Sequence, residues 1–349
     1  MTQQPSVTIG IPVLNEEAYI ETVINGFLNT GYPNLIEILI ADGGSTDKTR
    51  EIIEQIAKVD TRVVLVNNPD KYQSFALNKM INQAKGDIFV RADAHSIYAN
   101  DYIEQCVKTL VETGAKNVGG AQRYLAQNRI QSGISIAMKS FLGNGRAKYK
   151  DENFEGYADT VFLGCFWTKD LIAIGGFNEK QITSQDLELN LRLKENYGEC
   201  VFISPDIKCY YFPRDSFLKL LKQYFNHGRG RLVTILFHTG KDEFRGFFPF
   251  FFMLGLILFI ALDLIVETDL YSVRIIFFLA AILFLESIRV AFSSHKLFKS
   301  NIWHGNQNSP GILSNILFVM PAIFIMQIGH FSGFTFQLSR TLFNNGKSW

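Results

Sequence analysis

The sequence predicts an α/β protein: a Rossmann-like mixed sheet, mainly parallel, followed by C-terminal transmembrane helices. Three observations carry this. From Val7 to His95, short β-branched runs alternate with helical patterns, the βαβαβαβ order that gives parallel strands with right-handed crossovers. The strand candidates run straight into polar signatures at their C-terminal ends, where open α/β sheets bind ligands. Charge then thins sharply: the last 109 positions hold 14 charged residues, against 53 in the first 240.

The first strand candidate, Val7–Ile11, leads through Pro12-Val-Leu-Asn-Glu16 into a helix reaching about Asn29. Asn15 is a potential cap for it, and Glu16 and Glu17 suit its first turn. Tyr32-Pro-Asn34 is a turn. Ile36–Ala41 is an apolar run bounded by turn signals, as a buried parallel strand is. It ends in Asp42-Gly-Gly-Ser-Thr-Asp47. Ile52, Ile53, Ile56 and Val59 then recur at helical spacing, with Thr46 or Asp47 as cap. Val63–Val66 and Phe75–Ala84 repeat the strand–helix pair, and Ile88–Arg91 closes the series.

Beyond it, Asp101–Glu112 reads as a helix and Asn117–Gly120 as a strand. The polar stretch 127–157 carries Lys139, Arg146, Lys148 and Lys150 and suits either a mobile phosphate-side loop or a solvated one. Thr160–Phe166 is apolar. Thr183-Ser-Gln-Asp186 matches a capping box opening a helix through Leu187–Leu193, in which Glu188 and Arg192 stand i,i+4 as an ion pair. Val201–Ile203 and Ile207–Phe212 read as short strands. Phe217–His238 alternates large apolar residues with lysine and arginine, a pattern suited to a membrane interface.

Three stretches are long and apolar enough to cross a bilayer: 247–266, 275–292 and 312–331. Asp263 sits in the last turn of the first. Glu286 and Arg289 share one face of the second. These give a domain reading of 1–215 catalytic, 216–245 juxtamembrane and 246–349 membrane. Basic residues before the first span and after the second, with Glu267 and Asp269 between, place the catalytic domain on the cytoplasmic side of a multi-pass protein of the cytoplasmic membrane. Met1–Ser6 has no basic segment leading into an apolar core, so no cleaved signal peptide is expected. Net charge is +1 with pI about 7.7, which gives no field for nucleic acid. Cys106, Cys165, Cys200 and Cys209 lack metal-site spacing and fit a reduced compartment.

Asp93 and His95 lie two apart after the fourth strand candidate, so on extended backbone both side chains point one way and share a divalent cation, Mn²⁺ or Mg²⁺. Such an ion neutralises a diphosphate leaving group. The same spacing also occurs in simple capped turns. Asp42 is placed to accept from a ribose or base edge, with glycines allowing close backbone approach. Asp186 is the candidate base that removes a proton from a sugar hydroxyl, or else a cap of its own helix. Gln223–Arg231, with Arg229 and Arg231, suits a diphosphate or anionic lipid. The donor-contacting candidates are Pro12, Asn15, Glu16, Asp42, Lys71, Asp93, Arg229 and Arg231, the metal candidates Asp93 and His95, and the catalytic candidate Asp186.

Together, Val7–Glu16, Asp42–Asp47, Arg91–His95, Gly156–Gly164, Gln185–Arg192 and Gln223–Arg231 resemble family 2 glycosyltransferases of the GT-A fold, and within them the succinoglycan-type exopolysaccharide glucosyltransferases. The resemblance implies inverting transfer of one hexose from a nucleoside-diphosphate sugar, a UDP-sugar by expectation, to a lipid-linked saccharide. On that pattern Asp42 holds the nucleoside, Asp93 and His95 serve the metal–diphosphate, and Asp186 is the base. Two positions depart from it. The usual Asp-x-Asp is Asp93-x-His95, and the usual Glu-Asp is Gln185-Asp186. Processive relatives carry Gln-x-x-Arg-Trp, whereas Gln223 is followed by Asn226 and His227 at those offsets, favouring single-sugar addition. A transferase acting on polyprenyl phosphate, or a non-catalytic sugar-nucleotide-binding scaffold, remain the alternatives.

Overall fold

The computed structural model describes residues 4–145, 147–238, 244–266 and 271–344. Arg146, the stretch 239–243 within the juxtamembrane segment, and the orientation markers Glu267 and Asp269 lie outside the described residues. Two compact units divide the chain. One comprises 1–123 and 148–211, the other 124–147 and 212–349.

The first unit is the α/β part. Its elements are β1 (Val7–Val13), α1 (Ile20–Leu28), β2 (Leu35–Asp42), α2 (Thr49–Val59), β3 (Val63–Asn67), α3 (Gln73–Gln83), β4 (Ile88–Arg91), β5 (Ser96–Tyr98), α4 (Tyr102–Thr113), β6 (Asn117–Gly120) and β7 (Gln122–Tyr124). After the excursion into the second unit come β8 (Gly156–Tyr157), β9 (Phe162–Trp167), α7 (Thr168–Ala173), α8 (Gln185–Tyr197), β10 (Val201–Ile203) and β11 (Cys209–Tyr211). The second unit holds α5 (Arg129–Ala137), α6 (Phe141–Asn144), α9 (Phe217–Phe237), α10 (Phe244–Val266), α11 (Tyr271–Leu297) and α12 (Ile312–Asn344).

The large sheet runs β3-β2-β1-β4-β9-β6-β10-β8. The pairs β1–β2, β2–β3, β1–β4 and β6–β10 are parallel, while β9 lies antiparallel to both β4 and β6. This is the mixed, mainly parallel sheet that the alternation predicts. Strands β1, β2 and β4 are buried along nearly their whole length, which is why they read as continuous apolar runs rather than alternating ones. The chain leaves β1 toward β2 on one side, and β4 takes the other side. The order therefore reverses between β1 and β4, and crevices open at such points beyond the strands' carboxyl ends.

Helices cover the sheet through their apolar stripes. In α1 the buried residues are Ile20, Val23, Ile24 and Phe27, and in α2 Ile53 is fully buried. Each such side chain contributes about 1.5–3 kcal/mol by leaving water. Helix α1 begins at Ile20, about four residues beyond the polar signature, because the Glu16 carbonyl accepts the Tyr19 and Ile20 N–H groups at 3.0 Å. Asn15 therefore does not cap it.

Among the described residues of the second unit, three helices are long and apolar enough to cross a membrane: Pro249–Val266, Tyr271–His295 and Ile312–Phe343. Helix α12 runs on as one 33-residue helix, well past the apolar stretch 312–331. Helix α9 lies against it with almost no side chain between. A Cβ at Gly228 would fall 2.0 Å from the His330 carbonyl oxygen, and one at Gly333 1.9 Å from that of Phe225. Close approach through small residues is how helices associate where water gives no apolar drive. Helix α5 opens on a true cap, Asn128 accepting the Gln131 N–H at 2.9 Å, and it too packs on α12, with Ser132 Oγ donating to Asn315 Oδ1 at 2.5 Å. The sequence showed this part of 127–157 only as a polar stretch.

Candidate active site

The carboxyl ends of β1, β2 and β4, which neighbour one another in the sheet, lead into the polar signatures of the first unit. Asp42, at the end of β2, is buried; its Oδ1 accepts from Ser45 N at 3.0 Å and Ser45 Oγ at 2.7 Å. Asn15 takes a left-handed conformation, φ 57°, which asparagine tolerates better than most residues. That turn lets its Oδ1 accept from Thr46 N at 2.8 Å, while its own N–H donates to Ser45 Oγ at 2.9 Å. Glu16 N–H donates to Thr49 Oγ1 at 2.7 Å. The two signatures after β1 and β2 thus lock onto each other. Asp47 Oδ1 accepts from Thr49 N, but the residue that flanks α2 is Lys48 and no side chain caps the helix, so neither Thr46 nor Asp47 is its cap.

Gly43 fits between the loops. Its N–H donates to the Val13 carbonyl at 2.9 Å, and a Cβ there would stand 3.3 Å from the carbonyl oxygen of Lys71. Lys71, itself left-handed at φ 67°, therefore borders the Asp42 loop. Pro12 lies within β1, opposite Ala41 in register.

Arg91 is the centre. It ends β4, is buried, and its guanidinium reaches two carboxylates: Nη1 pairs with Asp186 Oδ1, and Nη2 stands 3.4 Å from Asp93 Oδ1. Burial works against its charge, but Asp186 and Asp93 outweigh that and hold its pKa above the ordinary arginine value. Asp93 Oδ1 also accepts from Gln73 Nε2 at 3.4 Å, and Gln185 Nε2 donates to Gln73 Oε1. Tyr98 clamps the backbone of Asp93: its hydroxyl accepts from Asp93 N at 2.7 Å and donates to Asp93 O at 3.0 Å. Gln185 thereby occupies a place in a neutral hydrogen-bonded chain where an acid would add a further charge.

Asp186 is the second residue of α8. The residue flanking that helix, Ser184, is left-handed at φ 61° and makes no side-chain cap, so the expected capping box from Thr183 does not form. The carboxylate of Asp186 turns instead to Arg91, with its side chain 42% exposed. Farther along α8, Arg192 grips Glu188 through Nε and Nη2, both at 2.8 Å, and donates to the Ile174 and Gly176 carbonyls. It is the supporting pair the spacing predicts.

His95 Nδ1 stands 3.1 Å from Glu16 Oε1. A carboxylate behind an imidazole fixes the ring and its tautomer, as is usual for metal-ligating histidines. Among the described residues, no group of three or more His, Cys, Asp or Glu gathers tightly enough to enclose a metal. Asp93 lies beyond β4 and His95 in a turn, not on the extended backbone that the spacing assumes. A carboxylate and a Glu16-braced imidazole are donors that a divalent ion could take, with its other ligands coming from phosphate oxygens.

Arg229 and Arg231 lie on α9, in the second unit. Arg229 Nε donates to Gln337 Oε1 at 3.2 Å, and its guanidinium stacks 5.2 Å from the Phe336 ring centroid. Lys148 and Lys150 stay in the first unit, Lys148 donating to the Tyr157 carbonyl and Lys150 to Gln122 Oε1. Arg91, Gln73 and Tyr98 take roles here that the sequence reading did not assign. Only Arg91, a charged residue closing an otherwise apolar strand, carried a signal that could have drawn attention.

Residues 8–168 match the model of the family described as glycosyl transferase family 2. The succinoglycan biosynthesis protein ExoA of Rhizobium meliloti is 34% identical over 246 residues, covering 70% of this chain and 74% of the relative. The dolichyl N-acetyl-α-D-glucosaminyl phosphate 3-β-D-2,3-diacetamido-2,3-dideoxy-β-D-glucuronosyltransferase of Methanococcus voltae is 29% identical over 77% of this chain and 85% of the relative. Among solved structures, a mannosyltransferase of Pyrobaculum calidifontis, in complex with GDP-mannose and Mn²⁺, aligns over 99% of this chain and 89% of its own, with a TM-score of 0.61 and 16% identity. At that identity the likeness speaks for the fold alone. The chain belongs to glycosyl transferase family 2, and the protein is a glycosyltransferase of GT-A fold.

Proposed function

We propose that the protein transfers a single hexose, with inversion, from a nucleoside-diphosphate sugar to a saccharide carried on a membrane lipid. The observation that carries this reading is the Arg91 bridge: one buried guanidinium ties the candidate base, Asp186, to the candidate metal–diphosphate carboxylate, Asp93. The two reacting ends of a displacement at an anomeric carbon need that proximity. Asp42 receives the nucleoside, with Pro12, Asn15, Glu16 and Lys71 bordering it.

Asp93 and His95 would hold a divalent cation, which supplies positive charge to the departing diphosphate. Asp186 takes the proton from the acceptor hydroxyl, the new C–O bond forms on the face opposite the diphosphate, and the nucleoside diphosphate leaves with the electron pair of the broken bond. Arg91 keeps both carboxylates oriented and apart. The lipid-linked acceptor is supported by the archaeal relative, whose name specifies a sugar carried on dolichyl phosphate. It is supported also by the three helices fit to cross a membrane. The basic flank before the first of these favours a multi-pass protein of the cytoplasmic membrane with the catalytic unit facing the cytoplasm. A UDP-sugar is the expected donor.

The test is release of nucleoside diphosphate by detergent-purified protein from UDP-, GDP- and dTDP-sugars, with Mn²⁺ or Mg²⁺, with chelator, and with membrane lipid extract. Release from one donor, stimulated by lipid and abolished by chelator, is the expected result. Folded protein that neither releases nor binds any nucleotide would overturn the reading. Stimulation by sugar-free polyprenyl phosphate alone would move the acceptor to the bare lipid.

A further inference from the structure

The second unit contains a cavity of about 850 Å³, within the roughly 300–1,000 Å³ typical of ligand pockets. Its walls are the 303–311 loop before α12, the start of α5 and Asp215 ahead of α9. The loop is a built wall. Ala126 N donates to the Ile302 carbonyl at 2.7 Å, and His304 N donates to the Ala126 carbonyl at 2.8 Å. Trp303 Nε1 closes the loop on the Gln307 carbonyl at 2.8 Å. Gly305 fits only as glycine, since a Cβ would lie 2.5 Å from the Trp303 ring and 2.6 Å from the Gln127 carbonyl oxygen. Below, Gln131 Nε2 donates to the Pro213 carbonyl at 3.0 Å.

The lining mixes apolar surface, from Ile130, Trp303, Pro310 and Phe318, with amide and hydroxyl groups, and it carries little charge. Asn306, Asn308, Ser309 and Ser314 make no side-chain hydrogen bond among the described residues, nor does Arg129 make an ion pair there. Asp215 is matched by Lys219 at 2.9 Å. Just behind the wall, the buried Asn315 Nδ2 lacks a partner. Carboxamides offer a donor and an acceptor side by side, which is what a sugar hydroxyl presents in return. Trp303 adds an aromatic surface for the apolar face of a pyranose. A nucleotide would find little positive charge here.

We infer that this cavity, with Trp303, Asn306, Asn308 and Arg129 at its wall, is a saccharide-binding site that selects the sugar portion of the lipid-linked acceptor. The inference rests on the transferase reading above and assigns the acceptor specificity to the second unit. A hydrogen-bonding site rejects a ligand lacking the matching hydroxyl more strongly than an apolar one does. A cavity so lined therefore discriminates between glycosylated and bare lipid.

The probe is the pool of saccharides released by mild acid from lipid extract of the source membranes, offered to the detergent-purified full chain and read by saturation-transfer NMR. The wild type should retain one saccharide of the pool, and Asn306→Ala/Asn308→Ala should lose that signal. The double variant should also raise KM for the intact lipid-linked acceptor by about tenfold, as loss of one or two net hydrogen bonds does, with kcat at saturating acceptor within about twofold. Trp303→Phe keeps a ring without the Gln307 bond and should fall between. Nucleotide binding by calorimetry serves as the folding check. Equal retention by wild type and double variant, while the lipid extract still drives transfer, would overturn the inference and leave the transferase reading standing. Retention of bare polyprenyl diphosphate as strongly as the glycosylated form, lost in Arg129→Gln, would also overturn it, since the cavity would then read phosphate. Absence of both transfer and nucleotide binding would sink the transferase reading itself.

Discussion

The Arg91 cluster and the Trp303 cavity use their polar side chains in opposite ways. Around Arg91 the charged and amide groups are engaged with one another: Asp186, Asp93, Gln73 and Gln185 form one connected set, and Glu16 faces His95. Around Trp303 the backbone is tightly bonded, yet Asn306, Asn308 and Ser314 make no side-chain hydrogen bond among the described residues. The first arrangement is preorganised for charge that develops during reaction. The second keeps its hydrogen-bonding capacity in reserve for a ligand. Stability and function are therefore coupled in the first site and separable in the second.

The strongest way to break this contrast is Asp186→Asn, which keeps shape but removes the base. Transfer should fall by roughly 10²–10⁴-fold with donor affinity unchanged by calorimetry; a wild-type rate would remove Asp186 from that role. Next, Asp93→Ala should weaken metal-dependent donor binding by about 10–100-fold, the range in which metal sites respond to lost partners, and should abolish any difference between metal-loaded and chelated protein. Arg91→Lys sharpens the coupling. An ammonium cannot span two carboxylates as the planar fork does, so transfer should drop about tenfold while thermal denaturation reports a loss of about 1–3 kcal/mol, discounted for the partial exposure of Asp186. Glu16→Gln should lower activity only a few-fold, through a less firmly oriented His95. At the small end, Asn306→Ala/Asn308→Ala should leave stability within about 0.5 kcal/mol of wild type, as exposed substitutions without partners do; a larger drop would place those side chains in the fold rather than in reserve.

The periodic part of the fold was legible. Expected strands at 36–41, 63–66 and 88–91 correspond to β2, β3 and β4, because buried parallel strands and amphipathic helices write their periods directly into sequence. What stayed illegible depends on contacts between distant residues. Nothing local tells that Asp186 faces Arg91 rather than capping α8; that follows from where the two elements meet in the folded unit. Asn15 reads as a helix cap by residue type, but the left-handed turn it adopts aims it at Thr46 instead. The helix Arg129–Ala137 hides in a polar stretch because its buried residues set Gln131, Ser132, Gly133 and Ser135 beside Ile134 and Ile136, too mixed a set to write an apolar stripe. The ends of the long apolar helices were also open, since apolar runs mark membrane thickness and not where a helix stops.

The length of α12 has a mechanical consequence. Thirty-three helical residues extend about 50 Å at 1.5 Å per residue, against a hydrocarbon thickness of about 30 Å. A thinner bilayer answers such mismatch by tilting the helix. Gly228 and Gly333 leave no compressible layer between α9 and α12, so a tilt of α12 carries α9 with it.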